Sequence, residues 1–294
     1  MIRYAISKLA DRKNLTEKEA ADALNCIMSG EATDSQIGSF ITALRIKGET
    51  IEEITGCAKI MRQKAEAINP SKSYYIDTCG TGGDGTNTFN ISTAAAFIAS
   101  AAGVAIAKHG NRSVSSKCGS ADVLESLGIN INLTPNQVKS CIEKVGIGFL
   151  FAPVFHKSMK YAANARKELG IRTIFNILGP LTNPANAKGQ VLGVFNGSLT
   201  ETVAKVLMNL EVERALVVHG MDGMDEITTT TKTKVSEIKD GNILTYELDP
   251  LDYGFKPAAK KDLIGGSAEE NSQIIVSILQ GERGARREIV VLNA

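Results

Sequence analysis

Several features that would place the chain in a specialised class are missing. A net charge of +1 leaves no basic arm or acidic tail, so neither nucleic acid nor a membrane is expected as a partner. The first residues lack the apolar core of a signal peptide, and the apolar run 93–107 is shorter than the ~20 residues that span a bilayer. The five cysteines form no C-x-x-C pair. We therefore expect a cytoplasmic protein and interpret 93–107 as a buried helix followed by a strand.

The first seventy residues are predicted to be wholly helical. Three capping boxes open runs with helical apolar spacing, and Gly30, Gly48 and Asn69-Pro70 should end these runs. The boxes pair Thr16 with Glu19, Thr33 with Gln36, and Thr50 with Glu53. The apolar positions indicate core packing, with a dimer interface as the alternative; they are Leu24, Ile27, Met28, Ile37, Phe40, Ile41 and Leu44.

From Tyr74 onward, short β-prone runs alternate with helical ones, which predicts a largely parallel sheet covered by helices. Asp240-Gly241 predicts a hairpin turn and therefore an antiparallel part of the sheet. The fold class is thus α/β, with a small helical domain at 1–70 and a large α/β domain at 71–294. The predicted strands include Ile76 and the runs 104–107, 129–131, 149–151, 191–195 and 215–218.

A glycine-rich segment at 77–85 is the strongest local signal. It follows a short strand and leads into a helix that opens near Ser92. Its glycines allow sharp turns that bring backbone N–H groups against an anion, and the helix start adds unpaired donors. The segment therefore predicts phosphate binding, with a flexible turn before an N-cap as the alternative.

A basic segment at 108–116 strengthens that prediction. It follows a strand, contains two cations and three hydroxyls, and precedes Gly119-Ser120, where another helix opens. Such a loop suits an anion at the carboxyl end of a parallel strand, and a solvated surface loop is the alternative. His109 falls inside this loop, whereas the other two histidines are as compatible with structural roles.

Two further signals concern a cation and a carboxylate. Asp225-Glu226 follows a predicted strand, and adjacent carboxylates suit Mg²⁺, although an exposed acidic pair is the common alternative. Arg166, near a predicted helix end, could clamp a carboxylate through paired hydrogen bonds or lie free on the surface.

Taken in order, these segments resemble the anthranilate phosphoribosyltransferase family over nearly the whole chain. The related pyrimidine nucleoside phosphorylases share the architecture but not the stretch 176–183. The resemblance implies a nucleoside phosphorylase/phosphoribosyltransferase-like fold, a helical domain joined in space by about 165–185, and a homodimer formed through that domain. The matching segments are 80–84, 90–93, 108–112, 119–122, 173–183 and 225–226.

The resemblance implies transfer of a phosphoribosyl group from phosphoribosyl pyrophosphate to anthranilate, with Mg²⁺ and without a covalent nucleophile. Lys108, His109, Asn111 and Arg166 would be the catalytic residues. Gly80, Asn111 and Arg166 would hold anthranilate, and Ser92, Asp225 and Glu226 would hold the metal. Phosphoribosyl pyrophosphate would contact Gly80, Gly83, Asp84, Thr88, Asn90, Ile91, Ser92, Thr93, Lys108, His109, Gly110, Asn111, Arg112, Ser113, Val114, Ser115, Ser116 and Ser120.

Two rival functions stay open at this point. A pyrimidine nucleoside phosphorylase would use the same cleft, and a non-catalytic nucleic-acid binder would use the same scaffold. The family's pattern also normally continues beyond Ala294. We therefore expect a chain truncated at its C-terminus and less stable to heat than a longer version.

Overall fold

The structure is a computed structural model that describes residues 1–71, 74–113 and 117–294. Its N-terminal part contains the helices α1 (Ile2–Ala10), α2 (Glu17–Met28), α3 (Asp34–Lys47) and α4 (Ile51–Lys64). The three predicted capping boxes open α2, α3 and α4: each threonine hydroxyl accepts a backbone N–H, and the Glu or Gln side chain accepts the threonine N–H. Local hydrogen bonding thus determines where these helices begin.

The end of α4 differs from its prediction at Asn69-Pro70. The helix stops at Lys64, and Ala65 is extended with ψ 151°. Tertiary contacts account for the difference, because Glu66 N donates to Phe155 O at 2.9 Å and Ile68 N donates to Pro184 O at 3.1 Å. The backbone N–H groups that could have prolonged the helix therefore bond to distant segments.

The helices near the N-terminus share one continuous hydrophobic core with later parts of the chain, including Leu192 and Val217 of the sheet. The apolar positions that follow helical spacing are buried inside the chain, including Leu24, Phe40 and Leu44, each 0% exposed. Three helices from much later in the sequence pack on this group. The α9 helix (Lys160–Leu169) contacts α2 and α3, α10 (Ile174–Leu181) contacts α3 and α4, and α11 (Thr200–Asn209) contacts α4. The boundary at residue 70 stays a prediction.

A seven-stranded sheet forms the rest of the core, in the order β3-β2-β1-β4-β5-β6-β7. The first five strands run parallel and the last two pair antiparallel, which confirms the predicted α/β class. The strands are β1 (Ile76–Gly80), β2 (Ile106–Gly110), β3 (Ile147–Phe151), β4 (Gly189–Gly193), β5 (Arg214–Gly220), β6 (Thr233–Lys239) and β7 (Asn242–Leu248).

Two strand predictions have opposite outcomes. The hairpin is confirmed, since Asp240 and Gly241 turn between β6 and β7 with φ of 51° and 73°. The strand at 129–131 is wrong, because no strand forms there. Ile131 packs against Leu124 in a small core while Ile129 is 37% exposed, so the apolar alternation reflects one anchored side chain in a loop.

Helices cover the sheet and connect its strands. In agreement with the interpretation of 93–107, α5 spans Ile91–Ala101 and is followed by β2. No helix in the described ranges is long and apolar enough to cross a membrane. The others are α6 (Ser120–Ser126), α7 (Pro135–Lys144), α8 (Ala152–Phe155), α11 (Thr200–Asn209), α12 (Ala268–Leu279) and α13 (Ala285–Asn293). The parallel strands β1, β2 and β4 therefore end at one common edge.

Candidate active site

The carboxyl ends of β1 and β4 lie directly against the segment that contains Asp225. Gly80 is paired with Gly193 in the sheet. A β-carbon on Gly80 would lie 2.5 Å from Asp225 Oδ2, and one on Gly193 would lie 1.6 Å from Asp225 O. Only glycine at both positions allows this approach. The two glycines thus bring an acidic segment onto the edge where the sequence predicts phosphate binding.

The glycine loop after β1 is closed by carboxylates. Gly82 and Gly83 adopt positive φ of 64° and 71°. Gly82 N donates to Asp225 Oδ2 at 2.8 Å, and Asp225 N donates to Asp84 Oδ2 at 3.4 Å. Asp84 also accepts a hydrogen bond from Thr86 N at 3.1 Å. The predicted site residues Gly80, Gly83 and Asp84 therefore belong to one turn, built around Asp225.

Lys108 lies in β2 and not in the loop that follows. The prediction placed the end of this strand at Ala107, but β2 continues through Gly110 because it pairs with β3 along its whole length. The Lys108 ammonium is buried, contacts Thr78 O, and lies 3.3 Å from Ser92 Oγ. Burial lowers its pKa, and the nearby Asp77 carboxylate opposes that shift. The amine is thus held beneath the glycine loop, at the start of α5.

His109 also lies in β2, buried and close to a second imidazole. Its backbone N–H donates to Asp77 Oδ1 at 3.1 Å, and its ring centroid is 5.0 Å from that of His156. Burial lowers the pKa of His109 well below its usual value, which makes the ring neutral at pH 7. His156 Nε2 forms a hydrogen bond with Thr182 O at 3.0 Å. His109 therefore contributes no positive charge to an anion site.

Asp225 and Glu226 converge with Ser92 on the same edge. Glu226 Oε1 accepts a hydrogen bond from Ser92 N at 3.2 Å. Loss of water raises the pKa of Asp225 to about 7, with repulsion from Asp84 adding to it. Loss of water and the neighbouring Asp225 raise the pKa of Glu226 to about 8. Two carboxylates that are costly to ionise together suit a divalent cation.

This donor set is small, which matters for the kind of metal. Within the described ranges, no three His, Cys, Asp or Glu side chains gather as a complete set of ligands. Magnesium usually takes one or two carboxylates and completes its shell with waters and substrate phosphates. The hard oxygens of Ser92, Asp225 and Glu226 therefore fit Mg²⁺ better than a metal with an all-protein shell.

The segment after β2 is more constrained than a solvated loop. Arg112 Nη1 pairs with Asp122 at 2.9 Å and with Glu125 at 2.6 Å. These bonds, first to Glu125 and then to Asp122, raise the pKa of Arg112. Exposed Asn111 accepts from Arg112 N through Oδ1 at 2.8 Å, and its carbonyl accepts from Ser120 Oγ at 3.3 Å. Arg112 thus anchors the segment to α6, and its charge is already neutralised.

Several predicted phosphoribosyl contacts have structural roles in this conformation. The side chains of Ile91 and Thr93 are buried, at 0% and 2% exposure, so they face the core. Thr88 forms an isolated bridge with Ile264. A β-carbon on Gly110 would lie 2.3 Å from Ser120 Oγ.

The predicted contacts in the segment after β2 are only partly described by the structure. Ser113 N donates to Asp122 Oδ2 at 3.1 Å. The predicted residues Val114, Ser115 and Ser116 lie outside the described residues.

Asn90 is committed to neighbouring elements. Its Nδ2 donates to Cys118 O at 3.2 Å, and its Oδ1 accepts from Asn271 Nδ2 at 3.0 Å. Asn271 belongs to α12 and is 2% exposed. Asn90 therefore connects the start of α5 with α12, and Asn271 is a supporting residue that the sequence did not reveal.

Arg172 lies close to the glycine loop, and Arg166 lies near the C-terminal end of α9. Arg166 Cζ lies 5.0 Å from the Phe175 ring centroid, and burial lowers its pKa. Across residues 1–71, 74–113 and 117–294, no carboxylate lies within 4.0 Å of it. Arg172 lies 4.4 Å from the Phe195 ring centroid. Arg172 was not among the predicted site residues. Its position six residues after Arg166 is the sequence feature that could have indicated it.

Comparison with known families places the chain among the glycosyl transferases. Two family models match: "Glycosyl transferase family, helical bundle domain" over residues 3–65 and "Glycosyl transferase family, a/b domain" over residues 72–294. Anthranilate phosphoribosyltransferase from Acetivibrio thermocellus is 72% identical over 294 residues, covering 100% of this chain and 85% of that relative. The chain therefore belongs to the anthranilate phosphoribosyltransferase family, which confirms the resemblance.

Solved structures agree with this assignment. The anthranilate phosphoribosyltransferase of Thermus thermophilus superimposes with a TM-score of 0.93 and 42% identity, covering 98% of this chain and 86% of that one. The Saccharomyces cerevisiae enzyme in complex with PRPP and Mg gives a TM-score of 0.92 and 29% identity, covering 99% and 86%.

Proposed function

We propose that the protein transfers the phosphoribosyl group of phosphoribosyl pyrophosphate to the amino group of anthranilate, in tryptophan biosynthesis. The products are N-(5-phosphoribosyl)anthranilate and pyrophosphate. The observation that carries the proposal is the convergence of the glycine loop, Lys108 and the Asp225-Glu226 pair at one sheet edge. This edge offers backbone N–H groups and a cation to phosphates beside oxygen ligands for a metal. Membership of the family supplies the identity of both substrates.

The metal would be Mg²⁺, held by Ser92, Asp225 and Glu226. When bound, the cation supplies positive charge to the phosphates of the substrate and so favours departure of pyrophosphate. Lys108 adds a fixed ammonium at Ser92 Oγ, 3.3 Å away. Because these groups are held before substrate arrives, they need little rearrangement as negative charge grows.

The bond changes require no covalent nucleophile. The C1–O bond of the ribose breaks and its electron pair leaves with pyrophosphate, while the amine lone pair forms the C1–N bond. The new ammonium centre then loses one proton to solvent. An arylamine is neutral at pH 7, so positioning matters more than a base. Cys79, the nearest thiol to the glycine loop, stays protonated because burial raises its pKa well above its usual value.

Anthranilate would be held by its carboxylate, through Arg166 and Asn111, with backbone contact from Gly80 and with His109 nearby. Support comes from the two side chains themselves. Arg166 has no acidic partner in the described part of the chain, and Asn111 is exposed next to the strand edge. A free guanidinium and an amide donor suit a carboxylate.

A homodimer formed through the helical domain is part of the proposal, as is a cytoplasmic location. The outer face of the N-terminal helices carries Tyr4 on α1 and Ile46 on α3, which are 61% and 70% exposed. These two helices pack against each other. Apolar side chains exposed on adjacent helices are typical of an interface.

Loss of anthranilate fluorescence on mixing with phosphoribosyl pyrophosphate and Mg²⁺ tests the function. We expect the signal to fall only when all three components are present. Phosphorolysis of thymidine or uridine without use of anthranilate would instead support a nucleoside phosphorylase. Salt-sensitive binding to DNA without turnover would support a nucleic-acid binder.

A further inference from the structure

An arginine outside the predicted site lies next to the glycine loop. Arg172 follows α9 and is exposed. Its guanidinium lies over the ring of Phe195, with Cζ 4.4 Å from the centroid. Phe195 follows β4, and its backbone N–H donates to Thr81 Oγ1 at 3.0 Å. Arg172 thus connects the α9–α10 side of the molecule with the glycine loop.

The guanidinium lies close to Gly83. A β-carbon on Gly83 would lie 3.0 Å from Arg172 Nη2 and 3.3 Å from Nε. Nε and Nη2 form the side of the guanidinium that binds an anion through two parallel hydrogen bonds. Gly83 has φ +71° and no side chain, which allows the guanidinium to approach the loop this closely.

The charges around the loop explain what this arginine can bind. Asp84, Asp225 and Glu226 make the edge acidic, and Arg112 is neutralised by its own carboxylate partners. Arg172 forms neither an ion pair nor a hydrogen bond with another residue described in the structure. Stacking on Phe195 holds it in place without occupying its N–H groups. Its donors therefore remain available for an entering anion.

We propose that Arg172 binds the pyrophosphoryl group of phosphoribosyl pyrophosphate over Gly83. This inference rests on the proposed function, since it assigns a further residue to the same reaction. As the C1–O bond breaks, its electron pair passes to the departing pyrophosphate. The guanidinium contacts that group and stabilises the added charge. The anthranilate carboxylate is the weaker assignment, because the contact is with the glycine loop.

Steady-state kinetics of Arg172→Gln and Arg172→Lys, with each substrate varied in turn, test the assignment. We expect the KM for phosphoribosyl pyrophosphate to rise by about tenfold or more in Arg172→Gln, as for loss of a charged hydrogen-bond donor. The KM for anthranilate should change by less than about twofold. Arg172→Lys keeps the positive charge but loses the paired N–H donors of the guanidinium. Its KM for phosphoribosyl pyrophosphate should therefore lie between those of the unaltered protein and Arg172→Gln. In calorimetric titrations, magnesium pyrophosphate should bind most tightly to the unaltered protein, less tightly to Arg172→Lys and least tightly to Arg172→Gln.

Lys167→Gln is the matched control, since it removes an exposed cation from the end of α9 and leaves the glycine loop untouched. A folded Arg172→Gln protein with unchanged kinetics for phosphoribosyl pyrophosphate would overturn the assignment. So would an increase confined to the KM for anthranilate. Should Arg172→Gln fail to fold, Phe195→Leu is expected to weaken pyrophosphate binding by releasing the guanidinium. If the unaltered protein shows no turnover, the proposed function itself fails.

Discussion

Lys108 and His109 are sequence neighbours, yet they face different surroundings. Successive side chains of a strand point to opposite faces of the sheet. The Lys108 ammonium therefore lies near Ser92, whereas the His109 ring lies beside His156. Of the two, only the lysine can carry charge to a phosphate, because burial lowers the pKa of His109. Few residues therefore supply positive charge to the site. An arginine without an acidic partner then contributes a large share of the charge that could bind an anion.

Arg166→Ala is predicted to raise the KM for anthranilate by about 10- to 100-fold, as expected for loss of a charge-assisted contact with a carboxylate. Steady-state assays with anthranilate varied at saturating phosphoribosyl pyrophosphate measure this. Arg166→Lys should recover part of the loss, and the KM for phosphoribosyl pyrophosphate should stay the same. An unaltered KM for anthranilate would mean that another group holds the carboxylate.

Among the elements, α13 supports the acidic segment from behind. The buried Asn293 side chain accepts from Ile227 N at 3.0 Å and donates to Ile227 O at 2.8 Å. Ile227 directly follows the Asp225-Glu226 pair. The last described helix therefore holds both backbone groups of the residue next to the proposed metal site.

Asn293→Ala should leave two buried backbone groups of Ile227 without partners, lowering the free energy of unfolding by about 2 kcal/mol. Urea denaturation measures this change. A weaker response of activity to added Mg²⁺ should accompany it, because the carboxylates lose their support. Asn242→Ala, which removes an exposed turn contact at 3.0 Å, serves as a control that should leave both measurements unchanged. Full stability in Asn293→Ala would contradict this role.

The start of α2 gives a pH-dependent prediction. Lys8 Nζ lies 2.7 Å from Glu19 Oε2, and this bond, followed by the hydrogen bond from Thr16 N, lowers the pKa of Glu19 to about 2. A folded-state pKa below the unfolded one gives stability that is complete above about pH 4.5 and is lost as the pH falls toward 2.

Glu19→Gln is therefore expected to be less stable than the unaltered protein at pH 7, and the difference should shrink as the pH falls from 4.5 toward 2. Gln36 shows that a glutamine can complete a capping box, so the helix start should survive. Thermal melts across this pH range provide the measurement. A difference that is constant with pH would show that the ion pair has no part in it.

For the whole molecule, the arrangement of the sheet decides where the site lies. β1 is central, flanked by β2 and β4, so three strand ends meet at the glycine loop. The α9–α10 segment packs on the N-terminal helices, and Arg172, between these two helices in the sequence, reaches Gly83 at this edge. Residues far apart in the sequence thus lie at one edge of the sheet.

Ile46→Glu should convert a homodimer into monomers, because a charge at a 70% exposed apolar position would be buried at the proposed interface. Sedimentation velocity, with concentration varied, measures the change. Val145→Glu is the matched control, since that residue is 69% exposed on the α/β part. A protein that is monomeric before substitution would remove this element of the proposal.

Local patterns determined much of this protein. The capping boxes, most of the alternation of strands and helices, the Asp240-Gly241 turn and the family motifs are readable from neighbouring residues and agree with the structure or the relatives. The strand predicted at 129–131 is the exception. Helix starts and tight turns depend on hydrogen bonds a few residues apart. The sequence therefore contained the fold class and the family, whereas the segments of the site stay predictions.

Tertiary structure alone decided how these segments are used. It ended α4 early, extended β2 through Lys108, paired Arg112 with α6, and placed Arg172 over Gly83. These outcomes depend on partners elsewhere in the fold and on the loss of water around each group. Burial and long-range contact arise only when the chain is packed, so spacing in the sequence does not specify them.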